Sequence, residues 1–467
     1  MQTVPPSMST FAAADFAVRT LGPREVPSPL GLSTVRGDWI ADYVPDDARV
    51  AYEVETKAGI PLPEGVFFEK AGPRERLFFD PRTTRAGIVT CGGLCPGINN
   101  VVRSLVLELH HKYGVPKVLG FRYGFEGLDP AKGGLPPIEL SPELVAHVHR
   151  QGGSILGLSR GKHEASAMVD TLVAHKIDML FAIGGDGTLK GAHAIAEEAK
   201  RRGLHISVVG IPKTIDNDIE FVDETFGYET AVELARLAVD AAHTEALGAR
   251  NGVGIVKLMG RDAGFIAAAA TLASRDVNFC LLPEVPFELD GEDGLLAVLE
   301  GRLASRNHAV VVVAEGCGAT LAAASGAEHD ASGNLRYASK DADIGTHLRD
   351  VISAYLKARG MPHTIKYIDP SYMIRSVVAN AHDAIFCDAL ARNAAHAGLA
   401  GKTDLVIGRI HRIFTHVPLP IVCGQKKRVN PDGALWLAVT EATGQPSLRA
   451  RTHGEPPASY GAPRRPR

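Results

Sequence analysis

Short apolar runs recur along the chain, and most break off at glycine, proline or a carboxylate just before a segment whose apolar residues fall three and four apart. Arg85–Thr90, Met179–Ile183, Ile206–Val209, Gly252–Met259, Asn278–Pro283 and Ala309–Ala314 read as strands buried on both faces. Val101–Leu109, Leu189–Lys200, Thr230–Glu245, Gly294–Ser305, Ile344–Arg359 and Ser376–Leu399 read as helices, and Asp404–Phe414 holds two more strand candidates. Apolar strands alternating with periodic helices predict parallel sheets covered by helices, a doubly wound α/β architecture formed twice over. Residues 1–85 are rich in proline and mixed charge without sustained periodicity and read as an N-terminal extension. The arginine-, proline- and glycine-rich residues 446–467 read as a basic, disordered tail. No internal repeat is visible.

In an open α/β sheet ligands bind beyond the carboxyl ends of the strands, so the loops there carry the chemistry. The run ending at Ile183 gives way to Gly184-Gly-Asp-Gly-Thr188. Gly184 and Gly185 leave backbone N–H groups free to close on phosphate oxygens, Asp186 offers a hard carboxylate for Mg²⁺, and Thr188 opens a helix whose positive end faces the same spot. A tight turn in which Asp186 only caps the helix is the plainer alternative. The run ending at Val209 is followed by Gly210-Ile-Pro-Lys-Thr-Ile-Asp-Asn-Asp218, where Asp216 and Asp218 could divide proton removal from metal or hydrogen-bond duty. An Asx-rich turn is the alternative there. Arg160 ends a third glycine-rich stretch and Arg261 a fourth, where guanidinium groups suit phosphate. Cys91-Gly-Gly-Leu-Cys-Pro-Gly97 forms another strand-to-helix loop, though its spacing is not the G-x-G-x-x-G dinucleotide fingerprint.

Composition narrows the class of partner. A formal charge of −3 over 467 residues gives no global attraction to nucleic acid or anionic membrane, so phosphate binding must be local. The six cysteines lack the spacing of a zinc site or a disulfide framework, and Cys91 and Cys95 have no histidine nearby, so reduced thiols and a cytoplasmic location are expected. No run is apolar and long enough to span a membrane, and the first residues do not have the pattern of a signal peptide.

Taken together and in order, TCGGLCPGIN, GGSILGLSRG, IGGDGT, GIPKTIDNDI, VKLMGRDAGFIA, VVAEG and KYIDPSYMIR closely resemble the 6-phosphofructokinase family over roughly residues 75–445, above all its plant-type and trypanosomatid-like branch. The resemblance implies two Rossmann-like lobes with the site in the cleft between them. The nucleotide-binding lobe would be residues 86–227, completed by about 376–430, and the sugar-phosphate lobe 228–375. It further implies that Gly92, Arg160, Gly161, Gly185, Asp186, Gly187 and Thr188 meet ATP, with Asp186 on Mg²⁺. Thr214, Ile215, Asp216, Met259, Gly260, Arg261, Glu315, Tyr372, Met373, Ile374 and Arg375 would meet fructose 6-phosphate, with Asp216 as proton acceptor and Arg261 assisting. A homo-oligomer, tetramer or dimer, is expected.

The bacterial enzymes of the family bring an arginine from a neighbouring subunit just before Met-Gly-Arg; the matching position here is Gly252, with Arg250 close by. Donor choice rests on Gly187 and Lys213. Pyrophosphate-dependent members generally carry an aspartate where Gly187 stands and a lysine at Lys213. A carboxylate at 187 would occupy and repel the nucleotide α-phosphate, so Gly187 favours ATP, while Lys213 suits either donor. Three alternatives stay open: pyrophosphate as donor, another kinase class sharing GGDGT, such as NAD or lipid kinases, and a non-catalytic subunit that kept the fold.

Overall fold

A computed structural model describes residues 11–55, 66–319 and 343–448. The large sheet takes strands β1 (Arg49–Ala51), β2 (Phe67–Lys70), β3 (Arg85–Thr90), β4 (Lys117–Phe121), β5 (Ile138–Glu139), β6 (Met179–Gly184) and β7 (Ser207–Pro212). A second sheet takes β8 (Gly252–Leu258), β9 (Phe279–Leu281), β10 (His308–Ala314) and β11 (Thr364–Ile368), after which β12 (Leu405–Ile410) and β13 (Ile413–Pro418) return to the first. The large sheet runs β1-β2-β13-β12-β7-β6-β3-β4-β5 and the small one β9-β10-β8-β11. Its five central strands, β12 to β4, are parallel, with antiparallel pairs at both edges, and the small sheet is parallel throughout.

All six residues of β6 and of β7 are buried, the pattern of strands covered on both faces. Pairing of β7 with β6 continues to Pro212 opposite Gly184, so this strand outlasts the apolar run ending at Val209 and the polar loop begins at Lys213. Glycine at 210 permits this, because a Cβ there would sit 2.7 Å from the Leu189 side chain.

The covering helices are α1 (Ile98–Leu107), α2 (Asp186–Arg201), α3 (Tyr228–Leu247), α4 (Phe265–Ser274), α5 (Leu295–Arg306), α6 (Ile344–Ala358) and α7 (Ala381–Leu399). Helix α7 starts five residues later than Ser376, because the Asn380 side chain accepts from Asp383 N (2.9 Å) and caps it. It lies flat on the large sheet: a Cβ on Gly398 would come within 3.0 Å of Met179 Sδ. Asp383, fully buried, accepts from Gly227 N (2.8 Å), Thr230 N (2.8 Å) and Thr230 Oγ1 (2.5 Å). A carboxylate on the helix behind the large sheet thus caps α3, which packs on the small one, and fixes the cleft between them.

The N-terminal residues are more than a wrapping. Strands β1 and β2 extend the large sheet through β13, and Glu69 of β2 accepts from Arg74 Nη2 (2.9 Å), Lys402 Nζ (2.9 Å) and His416 Nδ1 (3.1 Å), all buried. At the other end Leu448, inside the stretch read as tail, is buried under the small sheet, and its carbonyl accepts from Glu288 N (2.6 Å). Arg449 to Arg467 lie outside the described residues.

Candidate active site

The carboxyl ends of β3, β6, β7, β8 and β10 face one cavity of about 540 Å³. Of the expected residues it brings together Gly92, Arg160, Gly161, Gly185, Asp186, Gly187, Thr188, Lys213, Thr214, Ile215, Asp216, Met259, Arg261, Glu315 and Arg375. This size and mixture suit a ligand of nucleotide scale.

Its phosphate-like end is built on the first turn of α2. Thr188 N and Leu189 N turn back to Gly185 O (2.9 and 3.0 Å), which leaves the amides before them facing outward at the positive helix end. Gly184 is required by packing, since its Cβ would lie 2.0 Å from Thr188 Oγ1. Gly187 differs: a Cβ there meets nothing within 4 Å, so the position opens onto the cavity. Asp186 Oδ2 accepts from Lys190 Nζ (2.8 Å), whereas its Oδ1 is shielded from solvent without a hydrogen-bond partner.

Opposite stands the loop after β3. Gly92 takes φ +87°, its N–H donating to Ser159 O (3.0 Å), and Lys213 Nζ donates to Gly93 O (2.7 Å), tying the β3 and β7 loops together. Burial pushes the Lys213 ammonium below its usual range. A Cβ on Gly93 would lie 3.1 Å from Arg160 Nη2 and 3.9 Å from Arg375 Nη1, so two guanidinium groups flank this glycine.

The loop from Thr214 to Asp218 is tightly folded. Asn217, fully buried at φ +54°, accepts from Thr225 N (3.0 Å) and donates to Asp223 O (3.2 Å), while Thr225 Oγ1 donates to Thr214 O (2.6 Å). Asp216 N donates to Thr214 Oγ1 (3.1 Å), which donates in turn to Asp218 Oδ1 (3.1 Å). Asp216 Oδ1 is buried and unpartnered. Burial first, then the charges of Asp218 and Glu315, push the Asp216 carboxyl up to about 7 against the pull of Arg261 and Lys426. Glu315 is also pushed up by burial, with Arg261 and Lys257 opposing. Lys257 is held by Asp343 (2.7 Å) and Asp369 (2.8 Å) behind the wall.

Four expected residues are not in the cavity wall. Gly260, at φ +130°, accepts from Gly316 N (3.0 Å) and shapes the turn behind Arg261. Ile374 is buried in the core, and Tyr372 and Met373 point outward at 70% and 73% exposure, Tyr372 stacking under Arg375 (4.7 Å). Arg250 precedes β8 at its amino end, so roughly 20 Å of strand at ~3.3 Å per residue separates it from Arg261, and it does not reach this chain's cavity. Conversely the cavity includes Lys426, Asp262, Lys162 and Lys190. Lys426 pairs with Asp218 and lies 3.7 Å from Asp262. The basic run Lys426-Lys-Arg428 was the only sequence signal for it.

Residues 85–398 match the family Phosphofructokinase. The ATP-dependent 6-phosphofructokinase of Borreliella burgdorferi is 45% identical over 441 residues, covering 92% of this chain and 97% of that one. The ATP-dependent 6-phosphofructokinase 7 of Arabidopsis thaliana is 45% identical over 388 residues, covering 83% and 78%. Among solved structures, a pyrophosphate-dependent phosphofructokinase from Marinobacter aquaeolei superposes with a TM-score of 0.62 at 22% identity over 80% of this chain and 95% of that one, a likeness of fold alone. The parallel sheets, the loops at their carboxyl ends and these extensive likenesses agree: the chain belongs to the phosphofructokinase family.

Proposed function

We propose that this chain is an ATP-dependent 6-phosphofructokinase, transferring the γ-phosphoryl group of ATP to the 1-hydroxyl of fructose 6-phosphate to give fructose 1,6-bisphosphate and ADP. One observation carries the assignment of roles. Among the described carboxylates lining the cavity, only Asp186 and Asp216 have a buried oxygen without a partner, one at the helix start and one in the facing loop.

Asp216 accepts the proton of the sugar hydroxyl as it attacks; a carboxyl raised to about 7 is poised for this near neutral pH. Arg261 lies beside it to meet negative charge on the sugar phosphate and the transferred group, and Arg160, Lys213 and Arg375 face the phosphates from the other wall. Amides at the start of α2 receive phosphate oxygens. Asp186 fits a magnesium ion, since it lines the cavity and its Oδ1 has no hydrogen-bond partner, whereas Asp218 has one oxygen on Thr214 and the other on Lys426. When bound there with the nucleotide, Mg²⁺ supplies charge neutralisation across the phosphates. The open space at Gly187 supports ATP over pyrophosphate as donor.

Exposed Tyr372 and Met373, out of reach of their own cavity, support a homo-oligomer, dimer or tetramer, in which that segment meets a neighbouring subunit. Light scattering showing a fully active monomer would refute this. The six free thiols support a cytoplasmic setting; among the described residues no helix is long and apolar enough to cross a membrane. The function is tested by a coupled assay with fructose 6-phosphate, Mg²⁺ and either ATP or pyrophosphate. Turnover with ATP and little with pyrophosphate is expected, and efficient use of pyrophosphate alone would overturn the donor assignment.

A further inference from the structure

Lys426 comes from outside residues 85–398, on the loop that follows the return of the chain to the large sheet. Its placement is fixed by its neighbours. Lys427 N donates to Asp218 O (3.1 Å), the buried Lys427 ammonium donates to Val222 O (2.6 Å) and Asp223 O (3.0 Å), and Val429 N donates to Glu284 Oε1 (2.9 Å). The segment is therefore fastened to the Thr214–Asp218 loop on one side and to the small-sheet lobe on the other. Lys426 Nζ then meets Asp218 Oδ2, and Thr214 Oγ1 covers Oδ1 (3.1 Å). Asp216, two residues away, keeps an unpartnered oxygen.

We infer that Lys426 is a positioning residue for phosphoryl transfer: it clasps Asp218 and covers its charge, so that Asp216 alone of the pair is presented to the substrate hydroxyl. The inference rests on the phosphofructokinase reading. The groups facing Asp216 are Asp218 on its own loop, Glu315 after β10, Arg261 after β8, Lys213 after β7 and Lys426 itself. Those facing Lys426 are Asp218, Asp262 and, further off, Asp186. Removing the ammonium leaves the Asp218 charge without its cation beside Asp216, and Asp216 then holds its proton to higher pH.

The test is the pH profile of kcat/KM for purified full-length Lys426→Met. Its acid limb should move upward by about one unit, cutting kcat/KM roughly fivefold at pH 7 with recovery at pH 9. The loss should fall on kcat more than on KM for either substrate. Lys426→Arg should restore the wild-type profile, as should the double variant Lys426→Met with Asp218→Asn, which deletes the uncovered charge. A Lys426→Met profile superimposable on wild type, or a loss equal at every pH, would overturn the inference. An independent reading uses carboxyl-¹³C aspartate, the Asp216 resonance being identified by its loss in Asp216→Asn. Its midpoint should rise in Lys426→Met, and an unmoved midpoint overturns the inference. Wild-type inactivity on both substrates would defeat the phosphofructokinase reading separately, and the resonance would still decide whether Lys426 covers Asp218.

Discussion

Replacing Asp216 by asparagine separates what this carboxylate costs the fold from what it gives the reaction. Its carboxyl is raised from 3.8 to about 7, burial being the largest cause. Between those values the folded protein holds a proton that the unfolded chain releases, so stability from this group is full below about pH 4 and lost as pH rises through about 7. Three units at ~1.36 kcal/mol each set a ceiling of about 4 kcal/mol. The residue is only half-buried and borders the cavity, so solvent screening reduces this to about 2 kcal/mol. Asparagine has nearly the same shape and keeps the backbone bond to Thr214, but does not titrate.

Asp216→Asn should therefore match wild type near pH 4 and exceed it by about 2 kcal/mol at pH 8. Urea unfolding at both pH values, or the thermal midpoint followed across them, measures this. Turnover in the same variant should fall by about two orders of magnitude or more, since a positioned base contributes ~10²–10⁴-fold. Wild-type kcat/KM should drop roughly tenfold for each unit below the carboxyl's midpoint. A stability difference that does not grow with pH, or a wild-type kcat/KM flat from pH 8 to 5, would refute the reasoning.

Gly187→Asp fits sterically, because nothing lies within 4 Å of the added Cβ, and places a carboxylate in the space reserved for the nucleotide. It should abolish ATP use in a folded protein; retained ATP turnover sinks the donor argument. Asp186→Asn should raise the Mg²⁺ concentration needed for half-maximal turnover at least tenfold, since it removes the carboxylate charge facing the cavity; an unchanged metal titration removes Asp186 from that role. Glu69→Ala should destabilise by about 3–5 kcal/mol, because Arg74 and Lys402 would be left buried without their carboxylate; denaturation midpoints within 1 kcal/mol of wild type would contradict this.

The strands and helices were legible because a strand covered on both faces must be apolar throughout, as Met179–Ile183 and Ala309–Ala314 are. The edges were not. Strands β1 and β2 are short, β1 pairing with β2 and β2 with β13 from more than 340 residues away, so no local period marks them. The site divides the same way. Gly184–Thr188 and Thr214–Asp218 carry their chemistry within one turn of chain, whereas the salt bridge from Lys426 to Asp218 spans 208 residues. Tyr372 and Met373 show the converse, since their motif is plain in the sequence while their direction is set by packing.

That difference has a physical basis in how the fold handles buried charge. Several buried carboxylates outside the cavity are saturated by donors: Asp383 by three from α3 and its approach, Glu69 by an arginine, a lysine and a histidine, Glu284 by the amides of Gly264 and Val429. Apart from Arg74, five residues from Glu69, these donors lie 20 or more residues away in sequence, so saturation is complete only after the chain has folded. In the cavity, Asp218 is treated in the same way, by Thr214 and Lys426, while Asp186 and Asp216 each keep one oxygen bare. A bare buried oxygen is unfavourable to stability, and its desolvation is what raises Asp216 toward neutrality. Among the described residues Glu220 and Glu224 also keep one such oxygen, but of the carboxylates lining the cavity it is Asp186 and Asp216 that do so, the two proposed above for a metal and for a proton. The pairing of the others is what keeps that choice unambiguous.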